Sequence, residues 1–385
     1  MPSNTVLKIG VPRETKEGET RVSLVPSMVP ELMKFGCNVC VETNAGLAAS
    51  YADEEYSKAG ARILPDSRVL YAEADLVLKI QPPSESEATL LGDGSTLIGL
   101  LWAVSNKDLV KKLSEKKMTV FSMELVPRIS RAQSMDALSS MSTVAGYKAV
   151  LLATERFGKF FPLLMTAAGT LQAANVLVIG AGVAGLQAIG TARRLGARVE
   201  AFDTRPAVKE QVQSLGARFV EMEMPKDAET KGGYAKEMSD EFIKKEMEAI
   251  GGRLPKTDVV VTTAQVFGKK APLLITEDMV KLMPPGSVIV DIAAEQGGNC
   301  ALTQAGKTVE KYGVAIMGPV NLPAMMPVHA SQMFARNMVT LVKNIYKAED
   351  RQPDFGDEIT KGCCVINKGE IVNEMVKKAL GGGGV

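Results

Sequence analysis

The sequence predicts an α/β protein of two doubly wound domains with a cleft between them. Three observations predict it. Short β-rich runs alternate with helical patterns along almost the whole chain, which is the mark of parallel sheets. The runs fall into two series, and only the second opens on a glycine-rich turn. That turn has the strand–turn–helix–strand context of a dinucleotide-binding, Rossmann-like unit. A length of 385 residues fits two or three domains, and 46% hydrophobic residues are enough for a sizeable core in each.

The first series comprises Val6–Pro12, Asn38–Thr43, Ala61–Leu64, Asp75–Ile80, Thr96–Leu101 and Thr119–Leu125. Helical stretches such as "VPSMVPELMKFG" and "NKDLVKKLSEKK" separate these runs. The second series comprises Asn175–Gly180, Arg198–Asp203, Ala217–Met222, Asp258–Ala264, Ser287–Ala293 and Gly313–Gly318. Six strands with intervening helices complete a doubly wound domain. The helical run from about Ser331 to Lys347 is expected to return to the first domain. The expected division is therefore residues 1–138 plus 330–385 for one domain and 139–329 for the other. The tail "GGGGV" reads as a flexible end or a severed linker.

"VLVIGAGVAGLQAIGTARRLGARVEAFD" carries the most specific signal. Gly180, Gly182 and Gly185 form G-x-G-x-x-G after an apolar strand, and Asp203 ends the next strand 23 residues after Gly180. Gly180 permits the tight turn, Gly182 lets backbone approach a pyrophosphate, and Gly185 lets helix and strand pack closely. The helix N-terminus near Val183 offers free N–H groups and a positive dipole to phosphates. Asp203 should accept hydrogen bonds from ribose hydroxyls and repel a 2′-phosphate, which favours NAD over NADP. Thr204 and Arg205 follow it. Arg205 is expected either to pair with a 2′-phosphate or to lie over the adenine face. Loops at the carboxyl ends of the later strands, Ala264–Gln265 and Ala293–Asn299, should line the same site.

Glu221–Phe242 is long, polar and without strand character, yet contains Tyr234 and several methionines. It reads as a surface insertion or as a mobile lid, with Gly233 and Tyr234 reaching the cofactor.

Other features exclude function classes. A formal net charge of +1 gives no overall bias towards nucleic acid or an anionic membrane. Cys37 and Cys40 spell C-x-x-C, but on a strand they should point to opposite faces, so they read as ordinary strand cysteines. The only histidine is His329, and no metal site is expected. The first residues lack the pattern of a signal peptide. Phe160 to Ala192 holds no charge over 33 residues, but Pro162, Asn175, two Gln and five Gly break it into short pieces. No membrane span is expected there.

"RISRAQSMDALSSMS" (Arg128–Ser142) is dense in polar groups but holds no histidine, lysine or cysteine. It looks like an active-site loop short of the usual proton carriers.

"LKIGVPRETKEGETRVSLVP", "ADLVLKIQPP", "VDIAAEQGGN" and "GPVNLPAMMP" resemble the alanine dehydrogenase and proton-translocating nicotinamide nucleotide transhydrogenase superfamily, over nearly the whole chain. The resemblance is closest to the NAD(H)-binding component, domain I, of transhydrogenase. It implies an oxidoreductase, an NAD(P)+ transhydrogenase of the Re/Si-specific, proton-translocating kind. Hydride would pass directly between NAD(H) here and NADP(H) on a partner domain, with proton coupling in membrane subunits. It also implies a homodimer, cytoplasmic and peripheral at the inner membrane through its partners.

The polar loop is similar to that component's nicotinamide loop. On this resemblance Arg128, Asp136 and Ser139 hold the nicotinamide end, with Ile129 beside them, and Gln133 reaches NADP(H). Asp136 could equally cap the helix that follows. Arg21 and Lys79 occupy motifs that bind substrate in alanine dehydrogenases. Those enzymes use a histidine after the "TLIGLL"-like strand, where this chain has Trp102, and an aspartate where it has Glu295. An NAD-dependent amino-acid dehydrogenase is the alternative reading and a non-catalytic NAD-sensing module the third. Trp102 speaks against the former and the dense polar loop against the latter.

Overall fold

A computed structural model describes residues 6–222, 240–266, 268–347 and 352–381. The chain divides into two compact units, Met1–Met141 with Ala324–Val385 and Ser142–Pro323.

The first unit is built on eight strands in the order Glu370–Ile371, Cys364–Asn367, Thr119–Ser122, Thr96–Gly99, Leu76–Leu78, Leu7–Val11, Cys37–Glu42 and Arg62–Leu64. The six strands of the first series pair in parallel. Leu76–Leu78 and Thr119–Ser122 are buried at every residue, as sheets covered on both faces require. Two strands near the C-terminus, which the sequence did not signal, add antiparallel beside Thr119–Ser122.

The run expected to end at Leu125 stops at Ser122, because Met123–Leu125 is a 3-10 turn. The turn brings the buried carboxylate of Glu124 to two amides of the neighbouring loop, a contact that a continued strand would forfeit. The helix Pro327–Ile345 belongs to this unit. It begins four residues before the expected Ser331, with Pro327 at its first position, where proline's missing N–H costs nothing. Its buried residues include Phe334, Met338, Leu341 and Ile345 at helical spacing.

The second unit carries seven strands in the order Arg218–Phe219, Arg198–Phe202, Asn175–Ile179, Val259–Thr262, Val288–Asp291, Val314–Met317 and Thr308–Lys311. The first six are parallel and follow the doubly wound order. Thr308–Lys311 is an antiparallel edge strand, exposed along most of its length, so it shows no apolar alternation in the sequence. Arg218–Phe219 is shorter than the expected Ala217–Met222.

Alternate strand residues feed two cores. Val176, Val178, Val259 and Val261 join one, while Leu177, Ile179 and Val260 join the other. The valine runs are nearly continuous for that reason.

The uncharged stretch from Phe160 to Ala192 divides among the hairpin Leu164–Thr166/Gly169–Leu171, the strand Asn175–Ile179 and the helix Val183–Arg194. Among the described residues no helix is long and apolar enough to cross a membrane. Cys37 and Cys40 lie on the strand Cys37–Glu42 as unbridged, buried thiols. No group of His, Cys, Asp and Glu among the described residues could hold a metal ion.

Candidate functional site

The strand Asn175–Ile179 runs into the glycine turn, and the helix Val183–Arg194 starts from Gly182. Gly180 sits at φ +93°, in the left-handed region that glycine enters without penalty. A Cβ on Gly185 would lie 1.9 Å from the Gly180 carbonyl oxygen, so helix and turn touch backbone to backbone. A Cβ on Gly182 would meet only the Arg205 guanidinium, at 3.8 Å. The face above Gly182 is therefore where a phosphate group could come close to main-chain N–H donors at a helix N-terminus. Val183 is 43% exposed on that first turn.

Asp203 and Thr204, at the end of Arg198–Phe202, are both buried. One Asp203 oxygen accepts from Ala181 N at 2.6 Å and from Arg205 Nη2 at 2.9 Å. The other accepts from Arg205 N at 2.8 Å and Nε at 2.9 Å. The carboxylate thus ties the glycine turn to the second strand, and Arg205 lies on it as an ion pair. Ribose hydroxyls can gain this acceptor only as the guanidinium shifts.

Across the sheet, Thr263 Oγ1 donates to the Gly180 carbonyl at 3.0 Å. Ala264 follows, half-buried, and Gln265 is exposed with its amide on the Ile292 carbonyl at 3.2 Å. The strands Asn175–Ile179 and Val259–Thr262 are neighbours whose onward connections run to opposite sides. This is the switch point at which open α/β sheets bind ligands. Gly233 and Tyr234 lie outside the described residues.

In the first unit, the polar loop is a 3-10 turn, Ser130–Met135, followed by the helix Ala137–Arg156. Ala132 and Met135 are buried beneath it. The Asn337 side chain donates to the Ser134 carbonyl at 2.8 Å. Arg131 bridges to Asp357 at 2.6 Å and Asn344 at 3.1 Å. Partial burial works to raise the Asp357 carboxyl, but its bonds from Asn344, the Thr360 amide and Arg131 outweigh that and hold it at about 2. Sequence reasoning missed Arg131, because its partners lie more than 200 residues away.

With its middle anchored, the loop presents Arg128 and Gln133 exposed and leaves Ile129 half-buried. Asp136 accepts from Ser139 N at 2.9 Å and Ser139 Oγ at 2.6 Å. It therefore caps the helix while keeping a carboxylate and a hydroxyl together at the loop's end.

Trp102 is 39% exposed at φ +50°, a strained conformation for a bulky residue. Glu124 holds it there by accepting from both flanking amides, Leu101 N at 3.1 Å and Ala103 N at 3.0 Å. Burial raises the Glu124 carboxyl above the ordinary carboxylate range.

The family model "Alanine dehydrogenase/PNT, N-terminal domain" matches residues 10–145, and "Alanine dehydrogenase/PNT, C-terminal domain" matches residues 149–374. The chain belongs to this family. It is similar to the first part of NAD(P) transhydrogenase subunit alpha of Rhodospirillum rubrum, 47% identical over 376 residues, covering 95% of this chain and 98% of that protein. Alanine dehydrogenase 2 of Staphylococcus aureus is 33% identical over 345 residues, covering 87% of this chain and 86% of that one. The solved structure of transhydrogenase from Sinorhizobium meliloti superimposes with a TM-score of 0.87 at 39% identity, covering 95% of this chain and 100% of that chain.

Within the alanine dehydrogenase/PNT fold, Arg21 and Lys79 are committed to internal partners here. Arg21 makes a two-pronged pair with Glu19, at 2.8 and 2.7 Å. Lys79 is fully buried between Glu87 at 2.7 Å and Glu14 at 3.3 Å. Burial pulls the Lys79 ammonium down, but the two carboxylates outweigh it and hold it charged. Burial raises Glu14; at Glu87 burial acts the same way, but Lys79 outweighs it and lowers the carboxyl. The Glu295 carboxylate accepts from the Asn321 main-chain N–H at 3.1 Å and so ties its loop to the segment that follows the strand Val314–Met317.

Proposed function

We propose that the chain is the NAD(H)-binding subunit of a proton-translocating transhydrogenase. The glycine turn with Asp203 carries the reading, together with a polar loop that holds no histidine, lysine or cysteine. NAD(H) fits the turn, since Gly182 leaves open the face that any side chain would fill. Gly180, Gly182, Val183 and Gly185 would hold its pyrophosphate. Asp203, Thr204 and Arg205 would hold its adenosine end, and Ala264 and Gln265 would lie along it.

When bound, the cofactor supplies a hydride, exchanged between its C4 and C4 of NADP(H) on a partner domain. No proton is released for the protein to accept. The task of this chain is to position and to exclude water. Arg128, Asp136 and Ser139 orient the nicotinamide end, and Ile129 lends an apolar contact. Gln133, exposed on an anchored turn, reaches the partner's cofactor.

On this reading the protein acts as a homodimer. It sits peripherally at the cytoplasmic face of the inner membrane, where membrane subunits and an NADP(H)-binding domain join it and couple transfer to proton movement. The transfer is of the Re/Si-specific type.

The experiment mixes the purified chain with an NADP(H)-binding domain and follows single-turnover hydride transfer to an NAD analogue. Gln133→Asn should leave NADH affinity nearly intact and slow transfer severely, because the contact exists only when both cofactors are present. Transfer by Gln133→Asn at the unmodified rate would remove the loop from the mechanism. Robust NADH formation from L-alanine by the chain alone would favour a dehydrogenase instead.

A further inference from the structure

Asn299, in the loop after the strand Val288–Asp291, is fully buried. Its carboxamide is spent on main chain. Oδ1 accepts from Ala264 N at 3.1 Å, while Nδ2 donates to Ala264 O and to Pro272 O, both at 2.8 Å. Asn299 thus engages both polar groups of Ala264 as a neighbouring strand would, two residues beyond the end of the strand Val259–Thr262.

The surrounding segment is built to hold that side chain still. Asn299 N donates to Asp291 Oδ2 at 2.7 Å, and Asn299 O accepts from Leu274 N at 2.8 Å and Ile275 N at 3.0 Å. Asp291 is itself fully buried, and its carboxylate also takes Thr262 Oγ1, Ala293 N, Cys300 N and Thr303 Oγ1. Gly297 and Gly298 are both left-handed, at φ +98° and +79°. A Cβ on Gly298 would lie 2.8 Å from Asp291 Oδ2. Beyond Ala264 the contact continues, because Thr263 Oγ1 bonds the Gly180 carbonyl. A buried, fully engaged amide of this kind fixes one arrangement of the main chain it touches.

We infer that Asn299 is a positioning residue for the nicotinamide half of the bound dinucleotide, acting through the Ala264 peptide. The inference rests on the NAD(H) reading and extends it. The sheet order places Arg198–Phe202 and Val259–Thr262 on opposite sides of Asn175–Ile179. Asp203, after the former strand, marks the adenosine half. The loop after the latter serves the other half across the switch point.

Asn299→Asp keeps the size of the side chain but sets an oxygen against two carbonyl oxygens in place of two N–H donors. NADH affinity should fall by about tenfold or more, the effect of leaving buried main-chain acceptors unpaired. AMP, which probes the adenosine half alone, should bind as tightly to the variant as to the parent. The ratio of variant to parent NADH affinity should recover as pH falls, because protonating the introduced carboxylate restores one donor. Asn299→Ser, neutral and shorter, gives the same NADH-against-AMP comparison where Asn299→Asp does not fold. Equal losses of NADH and AMP binding would assign Asn299 to general folding and overturn the inference, as would no loss of either. Failure of the parent chain to bind NADH would instead sink the nucleotide reading itself.

Discussion

Replacing Glu246 by Gln should stabilise the protein, and by more as the pH rises. Glu246 lies on the helix Asp240–Gly251, one turn before Ile250. Ile250 shares a core cluster with Phe202, the residue before Asp203. Glu246 is buried, and among the described residues it has no ion-pair partner. Burial, then the nearby Asp203 carboxylate, raise its carboxyl from 4.5 to about 7. The folded-state value thus lies above the unfolded one. The associated stability is fully present below pH 4.5 and is lost as pH rises through about 7.

A displacement of one pH unit is worth about 1.36 kcal/mol, so ionising Glu246 costs on the order of 1 kcal/mol at pH 5 and roughly 3 kcal/mol at pH 8. Gln is close in size and never ionises, so the variant escapes this cost. The chain has two units and need not unfold in one step. The suitable measurement is therefore amide hydrogen exchange of Asp240–Gly251 in both proteins from pH 5 to 8, corrected for intrinsic exchange. A protection difference that stayed constant with pH, or narrowed, would refute the argument.

Lys79→Met should lower stability by roughly 3–5 kcal/mol, because it strands Glu14 and Glu87 in the core; an unshifted melting temperature would count against a dry cluster. Gly182→Ala should leave the melting temperature unchanged, since nothing lies nearer than 3.8 Å to the added methyl, yet weaken NADH binding on the order of tenfold. Calorimetry and a fluorescence titration on one sample separate the two effects. Asp203→Ala should narrow the gap between NADH and NADPH affinities by removing both a ribose acceptor and a repulsive charge, leaving Arg205 to meet a 2′-phosphate. An unchanged gap would mean that selectivity resides elsewhere.

The strands and the glycine turn were legible because their signals are local. Val176–Ile179 and Val259–Val261 announce a two-sided burial through an unbroken apolar run, and Gly180 must be glycine at its positive φ. Thr308–Lys311 was illegible for the converse reason: an exposed edge strand buries no face and so carries no period. The residues that hold the candidate site in shape were the least legible. Arg131 depends on Asp357, and Glu124 on amides 21 and 23 positions away. Asn299 reads as loop composition until the fold brings Ala264 against it. Residue type can announce what a side chain is able to do, but a partner distant in sequence is known only once the chain has folded.

The trio of Lys79, Glu14 and Glu87 also bears on how sequences of this fold can diverge. Losing the lysine first leaves two facing carboxylates without a counter-charge, and losing a glutamate first weakens what keeps the ammonium ionised in the core. Either step destabilises strongly, although an apolar replacement of the whole set need not. The viable alternatives are therefore separated by intermediates that selection removes. These three positions should drift together or not at all, and their retention in a descendant would record that barrier rather than any present use of the charges.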